Sequence, residues 1–178
     1  MEANGAEGQA ASPSRHALAP NGCRWPRWVS VALIAAALAH NTWRSWLCWG
    51  DLITDCGRDL DVALALLQGV PLYSGATYFY GPLPPFLNAA LFRFFGVNAD
   101  VLLVAGWVSA AVAAALIYRI ARLFTHRLAS TCAAIAFLYL CAFGHYATND
   151  IFNWVFPYTY AATYGMLCAL ASLFFLLK

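Results

Sequence analysis

Four aspartates, Asp51, Asp55, Asp59 and Asp61, fall within one short stretch of a 178-residue chain that holds only eight acidic residues in all. A carboxylate in such a position can take a proton from an attacking hydroxyl as a general base, or hold a cation. Asp51, Asp55 and Asp59 are spaced at i, i+4 and i+8, so they would share one face of a helix that reached back that far, and Arg58 could pair with Asp55 or Asp61. Gly57 interrupts that pattern and predicts a later start, with a helix from about Leu60 to Gln68 and the acids fanned around its positive end. A solvated acidic cap has the same spacing, so spacing alone leaves both readings open.

The elements around these acids are apolar. The chain is 62% hydrophobic and 10% charged, far below the roughly one quarter charged residues of a soluble domain. Its polar, aromatic stretch from Cys48 to Gly96 lies between runs long enough to span a bilayer. Spans are expected at about 28–47, 99–120, 128–145 and 158–177, with outer loops at about 48–98 and 146–157, giving an all-α polytopic membrane protein. The first span is the weakest, because His40, Asn41 and Arg44 lie in its last turns. They read as interfacial anchors beside Trp43, Trp46 and Trp49, or as residues facing a cavity. Residues 1–27 are rich in Ala, Gly, Ser and Pro and predict a disordered tail. The first apolar run has no cleavage pattern after it and is expected to stay as an anchor.

Charge distribution orients the spans. With the N-terminus cytoplasmic, the inner side carries Arg15, Arg24, Arg27, Arg119, Arg122, Arg127 and Lys178, and the outer loops carry Arg58 and Arg93. All six aspartates, including Asp100 and Asp150, then fall outside. A net charge of +2 with dispersed basic residues excludes a nucleic-acid-binding surface. The six cysteines form no CxxC cluster. Cys132, Cys141 and Cys168 are expected as small buried side chains, whereas Cys48 and Cys56 either form a disulfide or stay free. Within the first outer loop, a second short helix is predicted over PPFLNAALFRFFG, opened by Pro84 and Pro85 and stopped by Gly96.

The run Asp55-x-Gly57-x-Asp59, followed by ALALLQGVPLY, by YGPL from Tyr80 to Leu83 and by LFRFFG from Leu91 to Gly96, resembles the N-terminal region of GT-C superfamily glycosyltransferases. The nearest branch looks like the dolichyl-phosphate-mannose-protein mannosyltransferases and aminoarabinose transferases. The resemblance covers about residues 28–177, roughly the first third of such an enzyme, and implies a GT-C-like helical bundle whose outer loop carries two amphipathic juxtamembrane helices. It implies a polyprenyl-phosphate-linked sugar as donor, an acceptor of unspecified identity and a site at the non-cytoplasmic face of a cell inner or plasma membrane. Asp55 matches the essential acid of that loop, with Asp59 and Asp51 as neighbours and Asp150 as a second-loop acid.

The chemistry calls for the same residue types. Inverting transfer needs a carboxylate to deprotonate the acceptor, and cationic stabilisation of the departing phosphate. Asp55, Asp59 and Asp150 are thus the catalytic candidates, and Arg58, Tyr80, Arg93 and His145 the substrate-binding ones. A divalent cation would fit the chemistry, but no ligand set for it is evident. Tyr73, Tyr78 and Tyr80 either flank a sugar or headgroup or anchor the loop at the interface. His145 reads equally as a packing residue. A small non-enzymatic scaffold or transporter component, and an inactive fragment of the glycosyltransferase family, stay open as alternatives. The ending at Lys178, directly after SLFFLL, suggests a truncated chain.

Overall fold

The computed structural model describes residues 25–46, 57–144 and 153–178. They form an all-helical bundle: α1 (Arg27–Ser45), α2 (Gly57–Leu67), α3 (Leu83–Phe95), α4 (Ala99–Phe124), α5 (Arg127–Phe137) and α6 (Tyr160–Leu176). α5 continues into a π-helical turn, Leu138–Ala142. The described residues contain no strand beyond a single bridge between Leu72 and Ala76.

α4 is the one helix among the described residues that is long and apolar enough to cross a membrane. Its 26 residues reach about 39 Å at 1.5 Å per residue, more than a hydrocarbon core of about 30 Å. Asn98 caps its start, the side-chain oxygen accepting from the Asp100 N–H at 3.1 Å. Gly106, Ser109, Ala110, Ala113 and Ala114 form its buried stripe, and such small side chains let neighbouring helices approach closely. α4 packs against both α5 and α6, and α1 packs against α5 and the π-helical turn. The shorter apolar stretches Arg127–Ala142 and Tyr160–Leu176 flank α4. Large apolar side chains, among them Trp28, Trp43, Leu140, Phe175 and Leu176, point outward, as they do where the solvent is lipid. These features fit a membrane-associated protein.

The two helices of the first loop pack on each other, and α3 leans on α4 and α6. α3 buries Pro84, Asn88 and Phe92 at i, i+4 and i+8, with Pro85 and Ala89 beside them. Its start needs no donor from Pro84 or Pro85, since the first helical N–H groups have no intrahelical acceptor. Gly69 and Gly96 lie just past the ends of α2 and α3 at φ of 84° and 91°, where a Cβ would be strained.

Several expectations are corrected. Among the described residues α2 already includes Gly57 and so extends upstream of Leu60, glycine's cost of about 1 kcal/mol in a helix being too small to exclude it. Cys132, Cys141 and Cys168 lie on outward faces instead of inside, positions that suit a small apolar side chain when lipid lies outside. His40 lies on the outer face of α1, its Nδ1 2.9 Å from the Tyr139 hydroxyl.

Candidate functional site

The start of α6 and the two loop helices meet around one buried carboxylate. Asp59, in the first turn of α2, is only 2% exposed. Its Oδ2 accepts the backbone N–H of Tyr160, the first residue of α6, at 2.7 Å. Two helix N-termini therefore bear on one anion: the first turn of α2 by sequence, and α6 through a donor that has no acceptor within its own helix. Asp59 Oδ1 is buried and has no hydrogen-bond partner among the described residues.

The surroundings of Asp59 pull its acidity in opposite directions. Burial is the largest influence and raises its pKa above the ordinary 3.8; the Tyr160 N–H, the Tyr78 hydroxyl, the Arg58 charge and the Thr159 hydroxyl oppose that rise without cancelling it. Tyr78 is itself buried, its hydroxyl 3.4 Å from the Thr159 hydroxyl. Burial first, then the neighbouring Asp59 carboxylate, hold the Tyr78 phenol well above its usual range, so it acts here as a neutral hydroxyl.

Arg58 packs among aromatic rings. Its guanidinium lies between two aromatic rings, 5.3 Å from the Tyr80 centroid and 4.9 Å from the Tyr158 centroid. Its two terminal nitrogens approach the hydroxyl and the carbonyl oxygen of Tyr158, each at 3.5 Å. The Tyr78 and Tyr80 rings meet edge to face with centroids 5.5 Å apart. Deeper in, the Tyr164 hydroxyl donates to Asn88 Oδ1 at 2.9 Å, and the Tyr160 ring lies 5.5 Å from that of Tyr164. The Tyr160 hydroxyl donates to the Leu102 carbonyl at 2.7 Å, tying the site to α4.

The segment before α6 is pressed onto the bundle. Asn153 closes a turn on itself, accepting the Phe156 N–H at 2.7 Å and donating to the Phe156 carbonyl at 3.0 Å, and the Trp154 N–H reaches the Ala142 carbonyl at 3.0 Å. These bonds fix the course of the chain into Tyr158, Thr159 and Tyr160.

Of the residues singled out by sequence, Asp59, Arg58 and Tyr80 come together. Arg93 does not join them: it is exposed in the last turn of α3, with no hydrogen bond or ion pair among the described residues. Tyr73, Tyr78 and Tyr80 do not form one open platform, because Tyr78 is buried while exposed Tyr73 turns its hydroxyl onto the Tyr80 carbonyl at 2.7 Å. Asp51, Asp55, His145 and Asp150, and the Cys48 and Cys56 pair, lie outside the described residues. Asn88, Tyr158, Thr159, Tyr160 and Tyr164 were not singled out. The aromatic and hydroxyl clustering in PYTYAATY was the available signal, masked by its place at the head of an apolar run. Among the described residues, no three His, Cys, Asp or Glu side chains are grouped as a metal site.

No family model, no curated protein and no solved structure matches this chain.

Proposed function

We propose that this chain is the N-terminal region of a multi-pass membrane glycosyltransferase, its N-terminus cytoplasmic, which takes a sugar from a polyprenyl-phosphate donor at the non-cytoplasmic face. The observation that carries the reading is Asp59: a buried carboxylate with Oδ2 anchored by the Tyr160 N–H and the Tyr78 and Thr159 hydroxyls beside it, held where the acidic loop meets the start of an apolar helix. The GT-C resemblance of the surrounding motifs supports the same reading. Asp59 Oδ1 is the atom suited to receive a proton. The acceptor hydroxyl gives its proton to the carboxylate as its oxygen bonds to C1 of the sugar; the C1–O bond to the phosphate breaks, and the phosphate leaves with the electron pair. A base works best when its pKa is brought toward the working pH, and burial moves Asp59 in that direction. Asp55, four residues earlier, is the acid that the family pattern favours as the general base, and it is the alternative to Asp59 for that role.

The test is transfer from labelled polyprenyl-phosphate sugars by the full chain in membrane vesicles, comparing wild type with Asp59→Asn and Asp55→Asn. A general base supplies about 10²–10⁴-fold, so the variant lacking it loses about that much while its unfolding temperature holds. Undiminished transfer by Asp59→Asn removes Asp59 from the role. Failure of the full-length wild-type protein that contains this region to transfer from any donor of this class sinks the reading.

A further inference from the structure

We propose that Arg58 is a positioning residue, a latch that holds the segment from Tyr158 to Tyr160 closed over Asp59. Its consequence for sugar transfer rests on reading Asp59 as the base, whereas the latch itself does not.

Three successive residues of that segment are each held by the first loop. Arg58 holds Tyr158 through the ring face, the hydroxyl and the carbonyl; the Tyr78 hydroxyl meets Thr159; and Asp59 takes the Tyr160 N–H. The partners lie about a hundred positions apart in the chain, so the contact joins two separate outer segments rather than completing a local turn. With all three in place Asp59 is 2% exposed, and no hydroxyl of substrate size can reach its free oxygen. Parting the segment from Tyr158 to Tyr160 from α2 is the opening that would release all three contacts and expose the carboxylate.

Arg58 is the contact best suited to yield. Its grip on Tyr158 consists of a charge over a π face and two long hydrogen bonds at 3.5 Å, while its Nε is buried with no partner among the described residues. The planar guanidinium fits between the Tyr80 and Tyr158 rings in a way that a lysine ammonium cannot reproduce.

The latch is tested by accessibility, with no sugar donor present. The full chain in lipid nanodiscs is treated with dicyclohexylcarbodiimide, which modifies carboxyl groups that a small apolar reagent can reach, and labelling of Asp59 is followed by peptide mass spectrometry. Tyr158→Leu, which keeps the Arg58 charge, is expected to raise the labelling rate about tenfold. Arg58→Leu should do the same, the double variant should add little beyond either, Arg58→Lys should fall between, and Tyr158→Phe, which keeps the ring, should stay near wild type. Tyr158→Leu labelling at the wild-type rate overturns the proposal, as do fully additive effects. Arg58→Lys and Tyr158→Phe keep the test decisive if the leucine variants fold poorly: equal labelling in these two overturns it. A chain that shows the labelling pattern but transfers no sugar keeps the latch and loses the glycosyltransferase reading. Transfer with no change in labelling does the reverse.

Discussion

Gly106→Ala is the substitution whose effect follows most directly from the packing. A Cβ built on Gly106 would lie 2.0 Å from the Val155 carbonyl oxygen, 2.7 Å from its carbon and 2.8 Å from the Trp154 carbonyl oxygen. These are backbone atoms, so no side chain can swing aside. Ordinary contact begins near 3.4 Å, and the segment leading into α6 must retreat from α4 by about 1.4 Å. Such a retreat strains the Tyr160 hydroxyl bond to Leu102 and the Trp154 N–H bond to Ala142. Overpacking costs about 1–3 kcal/mol, and one buried group losing its partner about 1–3 more, which puts the loss near 3 kcal/mol. For a chain of this length that is a fall in unfolding temperature of roughly 6–12 °C, read by thermal unfolding in nanodiscs. Gly165→Ala is the control: nothing lies within 4 Å of its Cβ position, and alanine in a helix interior is favoured by about 1 kcal/mol, so it should be neutral or stabilising. Gly106→Ala melting with the wild type would refute the close approach of this segment to α4.

The site makes further predictions. Burial raises the Asp59 pKa in the folded chain, so its contribution to stability is full below about pH 4 and is lost as the pH rises through the folded value. Asp59→Asn keeps an acceptor for the Tyr160 N–H without a buried charge. It should match or exceed wild-type stability at pH 7, with the gap closing toward pH 4 in urea titrations; a variant less stable at pH 7 contradicts the cause assigned to the shift. Tyr160→Phe deletes the hydroxyl donor to the Leu102 carbonyl and should cost about 1–3 kcal/mol in the same assay. Asn98→Ala removes the α4 cap and should cost about 1 kcal/mol, whereas Asn98→Asp should cost little, because a carboxylate oxygen can accept the Asp100 N–H.

The helices of the first loop were legible because their signals are local. Pro84 and Pro85 open α3, Gly69 and Gly96 stop α2 and α3, and apolar positions at helical spacing choose the buried faces. The small residues Ser109, Ala110, Ala113 and Ala114 are a local signal of the same kind, and α4 buries all four. Of the site, Asp59, Arg58, Tyr78 and Tyr80 were legible as residues, but not the partners they take. Helical spacing offered Arg58 a carboxylate three residues away, yet an exposed ion pair is worth little, and the tertiary fold supplies two ring faces instead. Nothing local marks Tyr158 as the partner of a residue one hundred positions earlier, or Gly106 as the seat of Val155. Pairings made by docking two outer segments leave no period in the sequence.

On the proposed reading, Asp59 joins the two roles that sequence reasoning had kept apart, helix cap and reactive acid. A carboxylate has two oxygens, and here they are divided. Oδ2 is fixed by the Tyr160 N–H, which ties α2 to α6; Oδ1 has no hydrogen-bond partner among the described residues, with the Tyr78 and Thr159 hydroxyls the groups nearest to serving the carboxylate. A buried acceptor left unpaired is destabilising by about 1–3 kcal/mol, more for a charged group, and packing alone gives no reason to keep it. A merely structural cap would be served as well by asparagine, which carries no charge into the interior. The combination of an anchored orientation, a free oxygen and a cover held by a cation between two rings is what a base needs when it must be aimed in advance and kept from solvent until the cover lifts. The anchoring also bounds what the cover can do. If the segment from Tyr158 to Tyr160 lifts as one piece, Asp59 loses the Tyr160 donor and its burial together. Because burial is the larger influence, its pKa then falls back toward the ordinary carboxylate range, so the closed state is the one in which it is the stronger base.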